Sequence, residues 1–89
     1  MILTKSENVL WLKRNCLVKD VDLWRGNFIE YYFPVEVKGG YSIEIRKGKI
    51  TKRYPSVKAG LFTGYEVIDE EGNPTRIKRY HVAKLISRE

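Results

Sequence analysis

At 89 residues the chain has room for one hydrophobic core and no second domain. Apolar residues make up 43% of it and charged residues 31%, which excludes the low-hydrophobicity class that stays disordered and predicts a single folded domain over residues 1–89. Seventeen Lys and Arg against eleven Asp and Glu leave a net charge of +6, a balance that favours anionic partners.

Apolar runs such as residues 9–12 and 33–35 fall far short of the roughly 20 residues that span a bilayer. The opening MILTKSENVL has no apolar stretch of the kind a cleavable signal carries. These features predict a soluble, cytoplasmic protein with no membrane partner. With one cysteine, Cys16, and one histidine, His81, the chain can form no internal disulfide and no four-ligand zinc site, and it carries no cofactor-binding motif.

In chain order, residues 9–12 form a short apolar run. Residues 17–24 (LVKDVDLW) fit both a 3–4 spacing and an alternation, which suits strand content with a helical turn around Asp20 that ends near Gly26. Residues 27–37 (NFIEYYFPVEV) are aromatic and β-branched and predict a strand, but Pro34 cannot donate to a ladder. That strand is therefore an edge, is bulged, or breaks near Phe33. Lys38-Gly39-Gly40 turns it into a second strand, in which Tyr41, Ile43 and Ile45 alternate with Ser42, Glu44 and Arg46 and predict a buried face. Arg46-Lys47-Gly48-Lys49 then reads as a tight turn needing positive φ at Gly48, with residues 50–54 as the return strand.

After a break at Pro55, residues 61–68 (LFTGYEVI) predict another strand. Residues 69–74 (DEEGNP) are turn chemistry, and residues 75–82 return as a third hairpin. The Asp69-Glu70-Glu71 triplet belongs to that turn and not to a metal or catalytic cluster. Residues 81–87 (HVAKLIS) place Val82, Leu85 and Ile86 at helical spacing, which suits a short closing helix, with a last strand as the alternative. The fold expectation is mainly β: a small bent sheet or partly open barrel of five or more antiparallel strands with one or two short helices. Gly60, Thr63 and Gly64 in KAGLFTGY resemble pieces of small Src-homology-type barrels, a likeness of fold and not of function.

The cations are segregated along the chain. Arg46, Lys47, Lys49, Lys52, Arg53 and Lys58 occur with no acid among them, and Arg76, Lys78, Arg79 and Lys84 form a second acid-free group. On neighbouring strands the two runs would make one positive surface that releases counterions from several phosphates, although lysines that merely keep an edge soluble would look the same. Tyr54 and Tyr80, each beside an arginine, are the aromatics placed for exposure and base stacking, whereas Tyr41 and Tyr65 read as core. Trp11 and Trp24 read as core anchors and Cys16 as a small buried residue.

Gly64-Tyr65-Glu66-Val67, then Glu71-Gly72-Asn73, then Tyr80-His81-Val82-Ala83-Lys84-Leu85-Ile86 resemble the hairpin that delivers the first histidine of phage-type HNH endonucleases. The likeness covers about a quarter of the chain. It implies a DNA-contacting hairpin. In that family the histidine is a general base beside a metal held by later residues, whereas this sequence ends eight residues after His81 with no later His or Asn. The functional expectation is a non-enzymatic nucleic-acid-binding module with little sequence specificity, using Lys47, Lys49, Lys52, Arg53, Tyr54, Lys58, Arg76, Lys78, Arg79 and Tyr80. A small, possibly phage-encoded factor docking an acidic protein surface, with the edge at Phe33-Pro34 open to strand addition, is the first rival. A stripped nuclease using His81 is the second.

Overall fold

The computed structural model describes residues 2–16, 23–55 and 62–88. Helix α1 (Lys5–Asn15) precedes strands β1 (Phe28–Val37), β2 (Gly40–Pro55), β3 (Phe62–Asp69) and β4 (Pro74–Lys78), a 3-10 turn (Arg79–His81), and β5 (Val82–Ser87). The strands form one antiparallel sheet in the order β4-β3-β2-β1-β5, which does not close on itself. The protein is therefore mainly β, as its patterning predicts. Among the described residues no helix is long and apolar enough to cross a membrane.

Helix α1 starts at a capping box. Thr4 Oγ1 accepts the Glu7 N–H at 3.1 Å, and Glu7 Oε1 accepts the Thr4 N–H at 3.0 Å, so two donors that the first turn leaves unpaired are satisfied. The resulting hydrogen bonds favour the Glu7 carboxylate and lower its pKa. Lys13 and Arg14 in the last turn suit the negative end of the helix dipole. The helix buries Asn8 and Leu12, one turn apart, and packs against β2 and the 3-10 turn. Residues 9–12 are thus helical. The helical turn expected around Asp20 lies outside the described residues.

The chain does not turn at residues 46–49, because β2 runs unbroken for 16 residues through Gly48. Gly48 is needed for close approach: a Cβ there would stand 2.8 Å from the Ile68 carbonyl oxygen and 3.5 Å from the Tyr31 ring. The alternation of Tyr41, Ile43 and Ile45 does mark a strand, but those residues are not the core. Tyr41 and Ile43 are half-buried and Ile45 is 62% exposed. Inward positions on β2 are instead the even ones, ending at Ile50.

The register explains Pro34. In this antiparallel ladder Val37 faces Gly40 across the Lys38–Gly39 turn, so residues 40, 42, 44, 46 and 48 of β2 bond toward β1 and residues 41, 43, 45 and 47 bond away from it. Pro34 pairs with Ile43, a position that asks β1 for no N–H. On its other side β1 meets β5 only over Phe28–Tyr31, so Pro34 sits on a stretch of β1 that is locally an edge.

One face of the sheet carries the core: Ile29 and Tyr31 from β1, Ile50 from β2, Tyr65 and Val67 from β3, Ile77 from β4 and Val82 from β5, with Leu23 and Cys16 packed on them. Burial of each aliphatic side chain contributes about 1.5–3 kcal/mol. Tyr65 and Cys16 are core as their settings suggest, and the Cys16 thiol donates to the Arg79 carbonyl at 3.6 Å, tying the helix to the 3-10 turn. Trp24 is not a core anchor, being 53% exposed, and Trp11 is half-buried with its ring edge-on to Tyr32 at 4.9 Å. Residues 82–87 form a strand and not a helix. The register shift between Glu30 and Tyr31 inserts an extra residue on β5, so Val82 and Leu85 face one way despite their spacing of three.

Candidate functional site

Residues directly opposite in an antiparallel ladder project from the same face, so the register assigns every strand cation to a side. On the face opposite the core, Lys84 of β5 lies beside Glu30 of β1, which lies beside Lys47 of β2. The next row is Phe28, Lys49, Ile68 and Pro74. Farther along come Lys52, Glu66 and Arg76, then Tyr54, Gly64 and Lys78. The two basic runs of the sequence therefore meet on one face across β3. That face holds six cations and two acids from these rows, a surplus of four (6 − 2). Lys47, Lys52, Arg76, Lys78 and Lys84 are exposed.

A β-bulge determines which residues of the first run arrive there. Between Ile50 and Lys52 the pairing with β3 slips by one, so Thr51 and Lys52 both stand opposite Glu66. The Thr51 hydroxyl fixes this arrangement by donating to Glu66, with Oε1 at 3.0 Å and the carbonyl oxygen at 3.2 Å. Without the extra residue, Lys52 and Tyr54 would share the phase of Ile50 and point into the core. With it they join Lys47 and Lys49 outside.

Aromatic rings hold several of the cations. The Arg76 guanidinium lies 4.1 Å from the centre of the Tyr54 ring, and Lys49 Nζ lies 5.7 Å from that of Phe28. One face of Tyr54 is thus taken by Arg76, and the ring sets the direction of that arginine.

Other expected contact residues lie elsewhere. Arg53 turns to the core phase opposite Tyr65, and its guanidinium covers the Trp24 ring at 3.8 Å. Arg46 shares the inward phase, pairs with Glu44 at 3.1 Å and lies 4.1 Å from the Phe33 ring centre. Arg79 and Tyr80 belong to the 3-10 turn. Arg79 donates to the Tyr65 hydroxyl at 3.2 Å, and Tyr80 lies under Lys13. Lys58 lies outside the described residues. Lys84, grouped with the second basic run but not among the expected contact residues, reaches this face through the pairing of β5 with β1, with Glu30 between it and Lys47.

The HNH-like segment forms β3, the turn, β4, the 3-10 turn and β5, with a strand after His81 where the likeness implies a helix start. His81 Nδ1 lies 3.0 Å from the Lys78 backbone nitrogen, whose N–H it can accept, and 3.3 Å from the Lys78 carbonyl oxygen, to which it donates when it carries a proton. Burial lowers its pKa, the Lys78 carbonyl, which takes the Nδ1 proton of the charged ring, opposes that shift, and the Lys78 charge reinforces it. Asp69 is a turn residue: its Oδ1 accepts the N–H groups of Glu71 and Asn73, each at 2.9 Å. Among the described residues no three His, Cys, Asp or Glu side chains converge as a metal site. No family model, curated protein or solved structure matches the chain.

Proposed function

We propose that the protein binds nucleic acid through the outer face of β2 and β4, without catalysis and with little sequence preference. Lys47, Lys49, Lys52, Arg76, Lys78 and Lys84 contact phosphates, and Tyr54 holds Arg76 in position. The observation that carries this reading is the convergence of two acid-free runs on one face, where the bulge at Thr51 brings Lys52 alongside Arg76. Phosphate contacts of this kind position a polyanion and carry no base information. Arg53, Arg79 and Tyr80 are assigned to packing and not to the ligand, since each is engaged with Trp24, Tyr65 or Lys13.

The test is binding to single- and double-stranded oligonucleotides across a salt series, followed by fluorescence anisotropy. If four to six phosphates are contacted, log K falls against log[salt] with a slope of about −4 to −5 on duplex, from about −0.9 per phosphate. The Lys52→Glu/Arg76→Glu pair lowers affinity at least tenfold and flattens the slope, whereas Arg79→Gln changes it little. A salt-insensitive affinity, or an unchanged slope in the reversed pair, would reject the assignment.

A further inference from the structure

The free edge of β2 is interrupted in an uneven way. Leu3 occupies it at Tyr41 through two reciprocal backbone bonds of 2.8 Å, and β3 occupies it from Gly48 onward, leaving the ladder at Asp69. Between these two covers, no strand among the described residues pairs with residues 42–47 on that side. By the alternation set at the Lys38–Gly39 turn, the N–H and C=O groups of Ile43, Ile45 and Lys47 point into the gap. The Leu3–Tyr41 bonds lie on the same alternation, which fixes its direction.

The gap opens on a groove of about 690 Å³ lined by Glu44, Ile45, Arg46, Lys47, Thr75 and the turn that carries Asp69, Glu70 and Glu71. Four acids and two cations leave this groove at −2 (2 − 4) in a chain of net charge +6. The Tyr31 hydroxyl is buried without a hydrogen-bond partner, and it lies close enough to Arg46, Asp69 and Thr75, all lining residues, to sense them. Burial raises the pKa of this phenol. Of the two outer strands of the sheet, β4 begins with Pro74, carries Arg76 and Lys78 and reaches this groove through Thr75, while β5 contributes no lining residue to it.

We propose that residues 42–47 are a strand-addition site for a short, extended, basic segment of a partner protein. A polypeptide strand supplies the alternating donors and acceptors that Ile43, Ile45 and Lys47 require. An apolar residue opposite Ile45 covers a side chain that is otherwise 62% exposed. A lysine or arginine opposite Glu44 projects on the side of Asp69 and Thr75, within reach of the carboxylates. A second copy of this chain does not fit: its own β2, paired antiparallel with this stretch, runs into the β3 end of its neighbour at Asp69. The occupant has to be a segment whose ends leave the sheet plane after about five residues.

The experiment follows backbone amides by NMR hydrogen exchange in the full chain. The probes are a blocked heptapeptide alternating Lys and Val, its Glu–Val counterpart, and the Lys–Val peptide N-methylated at alternate residues in each of the two phases. In the free chain Ile43, Ile45 and Lys47 exchange fast while Ser42, Glu44 and Arg46 are protected. The Lys–Val peptide slows the first three at least tenfold, the Glu–Val peptide does not, and methylation in one phase alone abolishes the effect. Glu70→Gln/Glu71→Gln weakens the peptide at least fivefold. Protection of Ile43, Ile45 and Lys47 in the dilute free chain, protection that rises with protein concentration alone, equal response to the Glu–Val peptide, or indifference to both methylated peptides each overturns the proposal.

Discussion

Lys52 and Arg53 are adjacent in the chain, both basic, and on opposite faces of the sheet. Lys52 is exposed in a row with Glu66 and Arg76, whereas Arg53 lies over Trp24 beside Tyr65. Alternation puts neighbours on opposite faces, and the one inserted residue, Thr51, makes Lys52 the outer of the two. The inner face is apolar and close-packed, so its side chains act on stability. Outer-face side chains are long, charged and solvated, so they act on what the protein binds while contributing little to folding.

The largest effect expected from breaking that division is deletion of Thr51. It returns Lys52 and Tyr54 to the core phase, and urea melts should show loss of most of the folding free energy; a deletion variant as stable as the parent would refute the phase assignment. Truncating the neighbouring inner residue, Ile50→Ala, costs about 2–5 kcal/mol, while Lys52→Ala stays within about 0.5 kcal/mol, both read from denaturant midpoints. Gly48→Ala should destabilise by about 1–3 kcal/mol, because the new methyl meets the Ile68 backbone, which cannot yield as a side-chain tip can.

Tyr31→Phe sharpens the comparison from the inner side. Its hydroxyl is buried and unpartnered, so removal should leave stability unchanged or raise it by up to about 1 kcal/mol, and a loss of more than that would mean the hydroxyl has a partner. The smallest expected effect is the pH response of His81. Its folded pKa is lowered, so the unfolded chain binds the proton more readily; the contribution is present above the ordinary value of 6.5 and is lost as pH falls through the lower folded value. Thermal melts between pH 8 and 5 should show a decline that His81→Asn flattens, since the amide oxygen can accept the Lys78 N–H without titrating.

Much of this was legible in the residues, and the failures share a cause. β1, β3 and the Asp69 turn follow from β-branched runs and turn chemistry, which are local signals. Helix α1 also carries one, Thr4-Lys5-Ser6-Glu7 ahead of an apolar run, which the reading of residues 9–12 as a short apolar run leaves unused. What could not be read was phase. Alternation announces a strand but does not say which of its two sides is covered, so Tyr41, Ile43 and Ile45 looked like core until the register set Ile50 and Gly48 inward. Nor does any sequence pattern reveal the bulge, because Thr51 is ordinary until β3 pairs across it. The glycine at position 48 misled for a related reason: tight approach by a neighbour and reversal of the chain both call for the missing Cβ. As for the candidate site, the cations were visible as two runs, but the sorting of Lys52 from Arg53 and of Lys78 from Arg79 depended on pairing.

The placement of β5 bears on how the chain reaches this structure. From β1 to β4 each ladder can close outward from a nearby reversal, as Val37 meets Gly40 and Ile68 meets Pro74. β5 instead has to find β1, joining Leu85 to Ile29 across 56 positions (85 − 29). Loop closure over that distance is entropically unfavourable until the core rewards it, so this pairing is the natural late step in assembly. A chain caught before it would expose Ile29 and Tyr31 along an unfinished margin, and the kinetics of that one encounter set how long the nascent protein remains vulnerable to aggregation.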